Sequence, residues 1–180
     1  DISDIEDAFG DFAARLPKAG LLVYNADDER VQKIASHAKC KKVSFGIKNN
    51  ADITIKNRVV LNGKQIFDIW KHEVNLGRVI LHVPGIFNIS NVLAALSCVL
   101  EYGVSFGEAK KVIESFYGTW RRFEKVGTID DKPIISDYAH HPTAVHETIH
   151  AAKEFFPGKK IMAVFQPHQR DRTFKLFDEF

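Results

Sequence analysis

Two short polar stretches carry the residue types that chemistry needs. "SDYAHHPTAV", residues 136–145, sets Asp137, Tyr138, His140 and His141 within five positions, and "AVFQPHQRDRT", residues 163–173, supplies His168, Arg170 and Arg172. Imidazoles can bind metal or move protons, and guanidinium forks suit phosphate and carboxylate groups. The metal reading is weakened by spacing. His140 and His141 are adjacent, so on an extended segment they face opposite ways, and no third ligand follows at helical spacing. His146 and His150, four residues apart, read as surface histidines of the next helix.

The elements around these stretches decide whether they meet. The pattern predicts a strand over 133–136, a helix over 143–156 opened by Pro142, a strand over 161–165 and a further helix. In such a βαβ unit both strands end on one edge of the sheet, where ligands of open α/β sheets bind. Asp137, Tyr138, His140, His141, His168, Arg170 and Arg172 are therefore expected on one rim. The alternative is a pair of loops bearing solvated charge.

Upstream, residues 3–16 have helical spacing, "LLVYNAD" reads as a buried strand, Asp27 and Asp28 open a helix reaching about Ala38, and "KKVSFGI" is the next strand. Residues 51–83 alternate apolar and polar residues, with turn signals at Lys56-Asn57 and Asn62-Gly63, which predicts a small antiparallel insert. "PGIFNISNVLAAL" begins an apolar helix that Asn88 could cap, with Asn91 three residues on. Ser105 and Glu108 form a capping-box pattern. A domain boundary is expected near Gly118 to Trp120, giving domains over 1–119 and 120–180. Next to it, "GTWRRFE" offers Arg121 and Arg122, either to a polyphosphate or to a surface pairing with Glu124.

The totals exclude several classes. A net charge of +2 with both signs interspersed gives no electrostatic footprint for nucleic acid or a membrane surface. No apolar run approaches the roughly 18 residues of a membrane span. Cys40 and Cys98 stand alone, as buried thiols of a reducing compartment do. The only methionine is Met162, so the chain is expected to be a segment of a longer protein. It contains no G-x-x-x-x-G-K-[ST] phosphate loop of its own.

Four motifs, "PGIFNISNVLAAL", "GTWRRFE", "SDYAHHPTAV" and "AVFQPHQRDRT", in this order, resemble the Mur ligase family. The resemblance implies an α/β fold: the later part of a central ATPase domain, a parallel sheet with a small antiparallel insert, followed by the start of a Rossmann-like C-terminal domain. It implies ATP-dependent amide formation in bacterial cytoplasmic cell-wall synthesis, joining L-alanine to UDP-N-acetylmuramate through an acyl phosphate, with Mg2+ ligands upstream of this segment. A tripeptide-adding recycling ligase and a non-catalytic nucleotide-binding module are the alternatives. By position, Asn88, Asn91, Arg122 and Asp137 resemble the nucleotide-contacting residues. Tyr138, His140, His168, Arg170 and Arg172 resemble the substrate end, with His140, His168 and Arg172 implied as the catalytic residues. The chain departs from the alanine-adding pattern at Phe87, where a histidine is common, and at Gln169, where an arginine often follows the histidine.

Overall fold

In the computed structural model, which describes residues 2–48 and 50–180, the antiparallel insert is a three-stranded meander: β3 (Ile53–Leu61), β4 (Lys64–Lys71) and β5 (Val74–Leu81). Asn62 and Gly63 form its first turn, both with positive φ (51° and 67°), the tight hairpin geometry that Asn-Gly favours. Lys56-Asn57 is not a turn. Asn57 has φ 57° inside β3, where the register shifts between Lys56 and Val59, so the left-handed residue makes a bulge. The second turn falls at His72 and Glu73, where His72 takes φ 52°.

The meander is continuous with the parallel part. The order is β1 (Leu21–Asn25), β2 (Lys41–Phe45), β3, β4, β5 in one sheet. β1 and β2 pair in parallel across the helix α2 (Glu29–Ser36), whose N-cap Asp28 accepts from the N–H groups of Arg30 and Val31. Asp27 instead receives the N–H groups of Ile47 and Lys48. β2 and β3 meet at a single rung, Phe45 beside Ile53, so β3 runs on past the carboxyl end of β2. The far end of the meander, with the Asn62-Gly63 turn and the exit of β5, therefore projects beyond the carboxyl edge of the parallel strands.

Two helices share the core with this sheet. α3 (Ile86–Glu101) places Ile89, Leu93 and Leu96 at i, i+4, i+7 against Ile53, Phe67, Ile69, Val79 and Leu81, all essentially without solvent exposure. Each of the larger side chains contributes about 2–3 kcal/mol by leaving water. α1 (Ile2–Ala14) packs against α2, and α4 (Phe106–Glu114), opened by the predicted Ser105–Glu108 capping box, packs on β5.

α3 ends on an acid, where the helix dipole disfavours one. Glu101 is held there by Lys41 and by Lys71 (3.1 Å), which keep its carboxyl below the usual range, Lys41 having the larger effect. The folded pKa thus lies below the unfolded value of about 4.3, so this stabilisation is complete above that pH and is lost as pH falls through the folded pKa. In the full-length protein, Glu101→Gln should cost about 1 kcal/mol at pH 7, a small figure because Lys41 is largely exposed. Urea unfolding should find the difference shrinking steadily as the pH is lowered below the unfolded value; a difference independent of pH would exclude the charge as its cause.

The last third departs from the expected βαβ unit. β6 (Glu124–Ile129) and β7 (Lys132–Ser136) form an antiparallel hairpin, followed by α5 (Pro142–Phe155), α6 (Arg170–Lys175) and a 3-10 turn (Phe177–Glu179). Residues 161–165 form no strand: Met162 and Val164 stand 86% and 90% exposed. A strand needs a neighbour to receive its ladder bonds, and among the described residues β7 pairs with β6 alone. No helix among the described residues is long and apolar enough to cross a membrane.

Candidate functional site

The projecting end of the meander forms one wall of a cleft of about 670 Å³, and the β6–β7 hairpin and the end of α5 form the other. From the carboxyl end of β5 the chain passes through His82, Val83 and Pro84 into α3. Gly85 makes that entry possible. It holds φ 86°, and a Cβ there would lie 2.3 Å from the Phe87 ring. Gly85 is the N-cap, so Asn88 does not cap the helix. It lies in the first turn, where its Nδ2 donates to the Pro84 carbonyl (2.7 Å) and its Oδ1 accepts from Nδ2 of Asn91 (3.2 Å). The asparagine pair is thus tied to the cleft loop, with Asn91 exposed.

The floor between the walls is the linker 119–123. Arg121 and Phe123 both adopt left-handed backbone conformations, φ 55° and 50°, unusual for such side chains. Three bonds hold the linker there. The Phe123 N–H donates to Asp137 Oδ2 (2.8 Å), the Arg121 N–H to Glu124 Oε2 (2.8 Å), and the Tyr138 N–H to the Arg121 carbonyl (2.9 Å). Glu124 therefore serves the backbone, and the surface ion pair considered for the two arginines is not formed. The other Asp137 oxygen accepts from the Ala139 N–H (2.7 Å), so both oxygens face peptide groups.

The arginines take different positions. The Arg121 guanidinium lies over the Tyr138 ring, 4.7 Å from its centroid, and 5.6 Å from that of Trp120. Arg122 lines the cleft, and among the described residues its guanidinium makes no hydrogen bond or ion pair. A planar cation left unpaired in a cleft matches a phosphate or carboxylate.

Of the remaining expected residues, His140 meets the Tyr138 ring edge-on at 5.3 Å, with Nδ1 2.8 Å from the Tyr138 carbonyl. His141 is the N-cap of α5: its Nδ1 accepts from the Thr143 N–H at 3.4 Å, with Pro142 at the first helical position as expected. His168, Arg170 and Arg172 do not join this group. His168 is exposed, and α6, which carries the arginines, packs mainly on the following 3-10 turn. The expected common rim is not assembled, because it required the parallel pairing that residues 161–165 do not make. Among the described residues no three His, Cys, Asp or Glu side chains converge as metal ligands.

Sequence reasoning missed one cluster. Arg58 of β3 makes a bidentate pair with Glu154 of α5 (3.0 and 2.7 Å), and its Nε and Nη2 donate to Gln65 Oε1 (2.9 and 2.8 Å). The arginine's bonds hold the Glu154 carboxyl below its ordinary range against the opposing effect of burial. Arg58 and Glu154 are 96 residues apart, and neither lies in a motif.

A mixed sheet under an apolar helix, joined through an arginine-bearing linker to a second sheet and helix with a cleft at the junction, defines an α/β protein. The chain belongs to the Mur ligase family: the Mur ligase middle domain matches residues 1–99, and the Mur ligase glutamate ligase domain matches residues 121–180. It is 45% identical over 181 residues to a UDP-N-acetylmuramate–L-alanine ligase of Clostridium acetobutylicum, and 41% identical over 180 residues to one of Clostridium novyi. These alignments cover 99% and 100% of this chain, which spans 39% of the length of each relative. The crystal structure of a UDP-N-acetylmuramate-alanine ligase from Thermotoga maritima aligns with a TM-score of 0.79 at 26% identity, over 98% of this chain and 39% of that one.

Proposed function

We propose that residues 1–119 are the later part of the ATP-binding domain, and residues 120–180 the start of the C-terminal domain, of a ligase that joins L-alanine to UDP-N-acetylmuramate. The observation that carries this reading is the unpaired Arg122 guanidinium in the interdomain cleft, on a linker fixed by Asp137. In the reaction, a muramate carboxylate oxygen attacks the γ-phosphorus of ATP, the bond to ADP breaks, and an acyl phosphate forms. The alanine amine then attacks the acyl carbon, phosphate leaves with the C–O electron pair, and the nitrogen loses a proton.

Arg122 acts where negative charge spreads over the transferring phosphoryl group, and a fixed donor there lowers the barrier without reorganising. Asn88 and Asn91 present amides to the nucleotide from the head of α3. Asp137 acts as a positioning residue, because both its oxygens are engaged with peptide groups. Tyr138 and His140 offer a ring and an imidazole to the substrate end; His168, Arg170 and Arg172 complete that end in the full-length protein. Magnesium, which such transfer uses, finds no ligand set among the described residues.

The test is phosphate release by the full-length protein with ATP, UDP-N-acetylmuramate and L-alanine, L-serine, glycine or a tripeptide in turn. Turnover dependent on L-alanine is expected. Dependence on the tripeptide alone would replace this reading with the recycling ligase, and no turnover with any acceptor would end it.

A further inference from the structure

Gln65 sits at the centre of a relay that joins the two walls of the cleft. The side chain is fully buried on β4, and all four of its hydrogen bonds are specific. Its Oε1 accepts twice from Arg58, which grips Glu154 on α5. Its Nε2 donates to the carbonyls of Val83 (2.8 Å) and Gly85 (3.0 Å), which flank the Pro84 carbonyl that receives Asn88. A glutamine whose oxygen faces only donors and whose nitrogen faces only acceptors has one orientation. The chain of bonds is Glu154, Arg58, Gln65, loop 83–85, Asn88. It runs from the C-terminal part to the asparagine pair without a gap.

We infer that Gln65 is a positioning residue that sets the Asn88 loop according to whether Glu154 of α5 is docked on Arg58. The inference rests on the nucleotide-binding reading of Asn88. Docking of α5 fixes the Arg58 fork; the fork fixes the Gln65 amide; the amide fixes the carbonyls at the head of α3. A two-state contact at one wall thereby biases nucleotide affinity at the other.

In the full-length protein, Glu154→Ala should raise KM for ATP about fivefold or more, the lower end of usual coupling between sites, with kcat changed less. Amide hydrogen exchange over residues 83–88 should quicken in the same variant, a readout that needs no turnover and so survives failure of the ligase reading. In a Gln65→Met background, Glu154→Ala should add nothing to either quantity. Should Gln65→Met not fold, Arg58→Met gives the second arm: it leaves the Gln65 bonds to the loop available but cuts them from α5, and must reproduce both effects of Glu154→Ala. Additive effects in the Gln65→Met background, or unchanged KM and exchange in Glu154→Ala, would overturn the relay.

Discussion

Arg122→Ala in the full-length protein should lower kcat/KM for ATP by about a thousandfold, the usual scale for losing a cationic donor to a transferring phosphoryl group. The size of the effect follows from what Arg122 lacks. Its neighbour Arg121 is committed to the Tyr138 ring, and Glu124 to the Arg121 N–H. Arg122 alone faces the cleft with its fork uncompensated among the described residues. Arg122→Lys keeps a charge but not the planar pair of donors, so it should recover only part of the loss. Arg121→Ala removes stacking at the linker and should cost about tenfold or less, near 1 kcal/mol. Steady-state rates across ATP concentrations separate these cases. Equal losses for Arg121→Ala and Arg122→Ala would refute the assignment of the phosphate contact to Arg122.

Asp137→Ala should be the second most damaging change, lowering ATP-dependent turnover about a hundredfold while the protein stays folded. The carboxylate makes two charge-assisted bonds to peptide N–H groups, each worth about 1.5–3 kcal/mol. One of them anchors Phe123, whose left-handed backbone, like that of Arg121, costs about 1 kcal/mol to maintain. Without the carboxylate the linker relaxes, and Arg122 leaves its place in the cleft. Asp137→Asn retains one acceptor oxygen and should fall between. His146→Ala, on the exposed face of α5, should stay within about twofold of the parent, as surface changes do. Thermal unfolding run beside the kinetics distinguishes a displaced arginine from a collapsed domain. Equal losses for Asp137→Ala and His146→Ala would count against this map of the site.

The parts of this fold legible in the sequence were those set by neighbours in the chain. Asn62-Gly63, the Ser105–Glu108 box, Asp28 and Pro142 all act within four residues of themselves, and all do what their types dictate. Asn57 reads as a turn residue because a left-handed asparagine looks the same in a turn and in a bulge; only the opposite strand decides. The His72-Glu73 turn carries no glycine or asparagine to announce it. Asn88 reads as a cap because the glycine that takes that place, Gly85, does so through backbone conformation alone. At the site, the Arg122 and Asp137 motifs were visible as residue types, but not the engagement of Asp137 with Phe123, fourteen residues away. Arg58 and Glu154 were beyond reach altogether, since an ion pair over such a separation leaves no local pattern.

The meander has a further consequence, for the order in which the chain acquires structure. Ile53, Phe67, Ile69, Val79 and Leu81, most of the sheet's share of the core, fall within one continuous stretch closed by two tight turns. Such local contacts cost little loop entropy, and hairpins close within about 1–10 μs. The parallel pairing of β1 with β2 must wait for the longer crossover through α2, and α3 leaves the ribosome only after β5. The meander closes through its own local turns, and its apolar face is the surface on which α3 packs. The element that builds one wall of the cleft is also the one best suited to start the fold.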